Sequence, residues 1–132
     1  MLSLFKLGKF KLHSGGESRW KIDCDALTGE DLAALAAIAA DQLGPERPFR
    51  EVVGIPSGGL RFADAMRRYA DPGACSVLVV DDVLTTGKSV REMRDQILAQ
   101  RVGVEVFGLV IFARTAVEPW VERIFQMKCV GS

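Results

Sequence analysis

Asp81 and Asp82 are adjacent carboxylates, and the residues after them read Val83-Leu-Thr-Thr-Gly-Lys-Ser89. A carboxylate pair can accept hydrogen bonds from neighbouring hydroxyls or face a hard cation. Thr85, Thr86 and Ser89 offer hydroxyl donors, Lys88 offers positive charge, and Gly87 lets the backbone approach an anion closely. Acidic side chains and an anion cradle therefore meet within one short segment. That combination suits a ligand carrying both a phosphate and a polyhydroxyl or metal-bound part, of which a sugar phosphate is the simplest.

Positioning such groups requires a rigid strand before them and a helix after them. Val77-Leu-Val-Val80 is a continuous apolar run, the habit of a central parallel strand buried on both faces, and it is expected to end in the acidic pair. Val90, Met93 and Ile97 then mark a helix that stops near Val102-Gly103. Ligands of open α/β sheets sit outside the carboxyl ends of strands, where helix N-termini point free amides outward. The same alternation runs through the rest of the chain. Thr28 is the expected N-cap of an earlier helix, with Glu30 and Asp31 in its first turn, Leu32, Leu35, Ile38 and Leu43 at helical spacing, and a stop near Gly44-Pro45. Arg50 to Ile55 reads as a strand, Pro56-Ser57-Gly58-Gly59 as a turn, and Phe62, Met66 and Tyr69 as the apolar stripe of another helix. Val104 to Phe112 is a further apolar strand, with Arg114 just beyond it. This order predicts an α/β fold, a doubly wound parallel sheet flanked by helices. Near the start, Lys9 to Leu12 and Arg19 to Asp23 read as a hairpin around Ser14-Gly-Gly-Glu-Ser18, while in Pro119 to Val130 the residues Trp120, Ile124 and Phe125 favour helix.

Composition removes several function classes. Lysine and arginine together number 17 and are balanced by 17 acidic residues, so no net field draws in nucleic acid or anionic lipid. An apolar fraction of 48% supports an ordered core, yet no apolar run approaches the roughly 20 residues of a membrane span. The first residues interleave lysines with apolar side chains and lack the continuous core of a signal peptide. Cys24, Cys75 and Cys129 are odd in number and far apart, which suits reduced thiols in a cytoplasmic protein. His13 is the only histidine, so zinc-type clusters are not expected and any metal should be a hard, oxygen-bound ion.

Two look-alikes fail. Gly87-Lys88-Ser89 matches the tail of a nucleotide-triphosphate P-loop, but that pattern needs glycine where Asp82 stands. A phospho-accepting receiver strand also carries an acidic pair, but near the chain start and with an acceptor aspartate on a later strand, which this chain lacks. The segment from Val77 to Ser89 instead resembles the type I phosphoribosyltransferases, whose signature is an apolar run, two acidic residues and a hydroxyl- and glycine-containing loop. The resemblance implies that Asp81 and Asp82 accept hydrogen bonds from the ribose hydroxyls of phosphoribosyl pyrophosphate and influence Mg²⁺ through them. It implies that Leu84, Thr85, Thr86, Gly87, Lys88 and Ser89 cradle the 5′-phosphate. Pro56, Ser57, Gly58 and Gly59 fall where that family places its pyrophosphate loop, although many relatives carry Arg or Lys there.

The opening segment, Gly8 to Ser18 with Trp20 to Asp23, is similar to the hood of orotate phosphoribosyltransferases, which closes over the pyrimidine. On that resemblance His13, Lys21 and Arg114 contact the base, and Thr85 replaces the acidic residue of the hypoxanthine–guanine branch. The implied organisation is one domain: hood elements over about 1–27, the α/β core over about 28–116 and a C-terminal segment 117–132. The implied activity is Mg²⁺-dependent transfer of ribose 5-phosphate to an orotate-like base, in a possible homodimer. One part differs. Orotate enzymes insert a strand and a mobile loop before the acidic strand, whereas only Ala70 to Ser76 lies there in this chain. Either another segment, such as that around Trp120, replaces the lid, or turnover is slow, or only binding to phosphoribosyl pyrophosphate or a nucleotide remains.

Overall fold

A computed structural model describes residues 5–11 and 17–127. The chain opens with an antiparallel pair, β1 (Phe5–Lys11) and β2 (Glu17–Ile22), whose register shifts between Leu7 and Phe10. The expected hairpin is therefore present. A short 3₁₀ turn, Cys24–Ala26, leads to α1 (Gly29–Leu43). Thr28 caps α1 reciprocally: its hydroxyl accepts the Asp31 N–H at 3.0 Å, and the Asp31 carboxylate accepts the Thr28 N–H at 2.8 Å. Gly44, at φ +64°, ends the helix in a conformation that other residues rarely adopt. The buried face of α1 is Leu32, Ala36, Ala39 and Leu43, while Ile38 is 47% exposed. Small alanines let the helix approach its neighbours closely, so the large side chain at position 38 is turned outward.

β3 (Glu51–Gly54) is followed by α2 (Gly59–Met66) and a 3₁₀ turn, Arg67–Tyr69. β4 (Val77–Leu84) precedes α3 (Lys88–Gln100), and β5 (Val106–Ala113) precedes β6 (Val121–Gln126). The last four strands form one parallel sheet in the order β3-β4-β5-β6. β4 does not stop at the acidic pair; it continues to Leu84 because β5 is long enough to pair with it to Ala113. The C-terminal segment is also not helical. Gly108 donates to the Trp120 carbonyl at 2.8 Å and β6 pairs along β5, so the hydrogen bonds of an otherwise open sheet edge outweigh local helical preference.

Both faces of the sheet are covered. Phe62, Ala63 and Met66 of α2 join α1 against Val52, Leu78, Val80, Leu109 and Ile111. Val90, Met93 and Ile97 of α3 pack with Val77, Val79 and Val110 on the other face. Alternation along β4 explains the split, since successive strand side chains point to opposite faces. The steps from β3 to β4 and from β4 to β5 run the same way across the sheet, yet α2 and α3 lie on opposite faces. The two crossovers must therefore have opposite hand, and one departs from the strongly right-handed norm. Among the described residues no helix is long and apolar enough to cross a membrane.

Candidate active site

β3 is shorter than β4, and its last pairing is Gly54 with Val80. Asp81 and Asp82 thus emerge where β4 has lost its neighbour on one side. The chain leaving β3 does not move away. Ile55 donates to the Val80 carbonyl at 2.9 Å, and Gly59 turns back to donate to Ile55 at 2.8 Å. A Cβ on Gly59 would lie 2.6 Å from the Val80 carbonyl oxygen, and one on Gly58 would run into the Asp82 carboxylate. The Pro56–Gly59 turn, which contains a cis Pro56–Ser57 peptide, therefore rests directly on the acidic pair. Glycine is required here because the two backbones touch.

The acidic pair is anchored by its own main chain. Asp81 Oδ1 accepts the Asp82 N–H at 2.8 Å, and Asp82 Oδ1 accepts the Val83 N–H at 2.7 Å. Burial, then hydrogen bonding to Asp82 and its charge, pushes the Asp81 carboxyl up to about 8. The Cys24 thiol, just past β2, hydrogen-bonds to Asp82; burial first, then the surrounding carboxylates, hold it far above the usual thiol range. Asp23, also buried, accepts the Asp25 N–H at 3.2 Å. Arg61 of α2 donates to the Leu27 carbonyl at 2.8 Å and ties this segment to the core. Spacing could not reveal Cys24 or Asp23, because only folding brings the hood exit to the end of β4.

On the other side of Asp81 lies a pocket lined by Val83, Leu84 and the loop from Thr85 to Val90. Gly87, at φ +84°, turns the chain into α3, and the Lys88 N–H points to Thr86 Oγ1 at 3.3 Å. The first amides of α3 have no helical acceptor, so this end of the helix presents donors and a partial positive charge. Lys88 Nζ stands 3.9 Å from Glu92. Arg114 follows β5 at the same end of the sheet: its backbone N–H donates to the Leu84 carbonyl at 2.8 Å, at the root of the loop. The structure thus brings Asp81, Asp82, Pro56–Gly59, Leu84–Ser89 and Arg114 to the carboxyl end of one sheet. Lys21 lies on β2 opposite Lys6, and His13 lies outside the described residues.

Trp120 is not a replacement lid. Its ring packs over Gly108, where a Cβ would come within 3.3 Å, and the Arg94 guanidinium lies 4.9 Å from its centroid. The indole N–H is held by Glu118, which also pairs with Arg91 at 3.1 Å. This segment buttresses α3 through Arg91 and Arg94. The Ala70–Ser76 connection is equally unable to close over the site. It forms a turn in which Asp71 donates to Phe49 at 2.7 Å and Gly73 donates to Asp71 Oδ1 at 2.8 Å. It enters the amino end of β4, so the whole strand, about 25 Å at roughly 3.3 Å per residue, separates it from the Leu84–Ser89 loop.

Comparison with known proteins bears on the family and the fold. Orotate phosphoribosyltransferase of Pyrobaculum aerophilum is 31% identical over 131 aligned residues, covering 81% of this chain and 67% of that protein. The chain belongs to the orotate-like type I phosphoribosyltransferases. No family model matches it. Orotate phosphoribosyltransferase from Aeropyrum pernix shares the fold of this phosphoribosyltransferase, with a TM-score of 0.74 at 23% identity over 93% of this chain and 88% of that one. UMP synthase from Leishmania donovani also superimposes with a TM-score of 0.74, at 18% identity over 94% of this chain and 34% of that one. The xanthine-guanine-hypoxanthine phosphoribosyltransferase of Helicobacter pylori shares the fold less closely, with a TM-score of 0.57 at 11% identity over 74% of this chain and 89% of that one.

Proposed function

We propose that this phosphoribosyltransferase transfers the 5-phosphoribosyl group of phosphoribosyl pyrophosphate to an orotate-like pyrimidine base. The observation that carries the reading is the meeting of the acidic pair, the glycine turn and the α3 loop at one end of the sheet. In this reading the Leu84–Ser89 loop holds the 5′-phosphate, and Asp81 and Asp82 accept hydrogen bonds from the ribose hydroxyls. Ser57 and Gly58 face the pyrophosphate, and Arg114, with His13 and Lys21 of the hood, faces the anionic base. The bond from C1′ to pyrophosphate breaks with its electron pair leaving on oxygen. A ring nitrogen of the base forms the new bond to C1′, and its proton passes to water. Carboxylates beside the ribose favour the positive charge that develops on the ring as the leaving group departs.

The donor set fits Mg²⁺. No cluster of three or more His, Cys, Asp or Glu side chains suited to hold a metal occurs among the described residues. Two oxygen-donor side chains completed by water and ligand oxygens match the habit of magnesium. When bound, the ion supplies charge neutralisation to the departing pyrophosphate. A second reading, a binding protein without turnover, is favoured by the Ala70–Ser76 turn at the wrong end of the sheet to act as a lid.

Thermal unfolding with phosphoribosyl pyrophosphate, with and without Mg²⁺, tests both readings. Ligand at a hundred times its dissociation constant should stabilise the fold by about 2.7 kcal/mol. Pyrophosphate release across a panel of bases then separates them: release with orotate supports transfer, and binding without release supports the second reading. Absence of any stabilisation would sink both.

A further inference from the structure

We infer that this site grips its ligand by the 5′-phosphoribosyl half, so that a nucleoside 5′-monophosphate binds about as tightly as phosphoribosyl pyrophosphate. The inference rests on the placement of the two loops given above and concerns how they share the work. The phosphoribosyl half is well provided. It has hydroxyls at Thr85, Thr86 and Ser89, the amino end of α3, and two carboxylates for the ribose. The pyrophosphate half is not. Pro56 has no N–H, the Gly59 N–H is committed to Ile55 at 2.8 Å, and the Leu60 N–H is committed to Ser57 at 3.3 Å. The turn therefore offers an anion the amides of Ser57 and Gly58, together with the Ser57 hydroxyl.

The electrostatics point the same way. The Asp82 carboxylate lies against Gly58, in the space a Cβ would fill, so an anion on this turn meets a like charge at close range. None of the Lys and Arg side chains described from residue 23 onward pairs with Asp81 or Asp82. Ser57 and Gly58 bring no charge, and the connection from Ala70 to Ser76 opens at the other end of β4. Pyrophosphate on this turn therefore relies on a cation to offset the Asp82 charge. Its two phosphates then add little affinity beyond what the ribose 5-phosphate moiety supplies.

Calorimetric titration of the full chain with phosphoribosyl pyrophosphate, uridine 5′-monophosphate, ribose 5-phosphate and inorganic pyrophosphate, each with Mg²⁺, tests this. The expected result is dissociation constants for phosphoribosyl pyrophosphate and uridine 5′-monophosphate within about threefold, and much weaker binding of inorganic pyrophosphate. Tighter binding of phosphoribosyl pyrophosphate by more than about tenfold would overturn the inference while leaving the proposed function standing. If none of the phosphoribosyl ligands binds, the proposed function itself fails, and this inference with it. Ser89→Ala supplies the second arm. Because one loop holds both ligands, it should weaken both by the same factor; a loss confined to one, or no loss at all, places the grip elsewhere.

Discussion

At the residue scale, the acidic pair sets two half-buried carboxyls side by side, with measurable signs. Asp81 titrates near 8 in the folded chain, against 3.8 for an ordinary aspartate, because it is buried and faces Asp82. The native state therefore holds a proton that the unfolded chain has released between those values. The stability it contributes is fully present below pH 3.8 and is lost as pH rises through 8. Asp81→Asn should remove that dependence, so its melting temperature should overtake the wild type as pH climbs; parallel curves from pH 4 to 8 would exclude the raised value. The two glycines of the facing turn should behave differently from each other. Gly58→Ala drives a methyl into the Asp82 carboxylate, a side chain that can swing aside, so phosphoribosyl pyrophosphate affinity should fall by about tenfold with little change in melting. Gly59→Ala meets the Val80 backbone, which cannot move cheaply, and should cost about 1–3 kcal/mol in urea unfolding. Asp81, Asp82 and the glycine turn were legible in the sequence because their chemistry is carried by adjacent residues. Cys24 was not, since nothing local marks a thiol that becomes a partner of Asp82 only after folding.

At the element scale, local signals located most boundaries and tertiary pairing moved the rest. The start of α1 was legible because a capping box is written in residues three apart. Thr28→Ala should cost about 1 kcal/mol, measured by chemical denaturation. The C-terminal segment was misread as helix because Trp120, Ile124 and Phe125 can satisfy either period, and only the open edge of β5 decides for strand. Gly108 is the hinge of that arrangement. A Cβ there would crowd Val90 at 3.1 Å, Val121 at 3.2 Å and Trp120 at 3.3 Å. Gly108→Ala should therefore dislodge the indole from its seat under Arg94, seen as a red shift in tryptophan emission together with destabilisation of about 1–3 kcal/mol. Unchanged emission would mean that the ring does not pack as described.

At the scale of the whole molecule, the two crossovers of the sheet have opposite hands. Between the 3₁₀ turn after α2 and the start of β4 lies only the short Ala70–Ser76 turn. That turn lies a full strand length from the phosphate loop, so lengthening it should be silent at the site. Insertion of four Gly/Ser residues between Asp71 and Gly73 should leave phosphoribosyl pyrophosphate affinity within about twofold, as titration would show. A larger loss would mean that this connection reaches the ligand after all.

The sequence alone determined the α/β class, the apolar strand before the acidic pair and the hydroxyl-rich loop after it, because each is set by neighbouring residues and short periods. Tertiary structure decided that the glycine turn lies on Asp82, that the hood exit brings Cys24 beneath it, and that Trp120 braces α3 instead of covering the site. Those outcomes depend on which strands pair and which faces the helices cover. Such long-range choices are settled by burying apolar area and satisfying backbone hydrogen bonds across the sheet, not by any one segment.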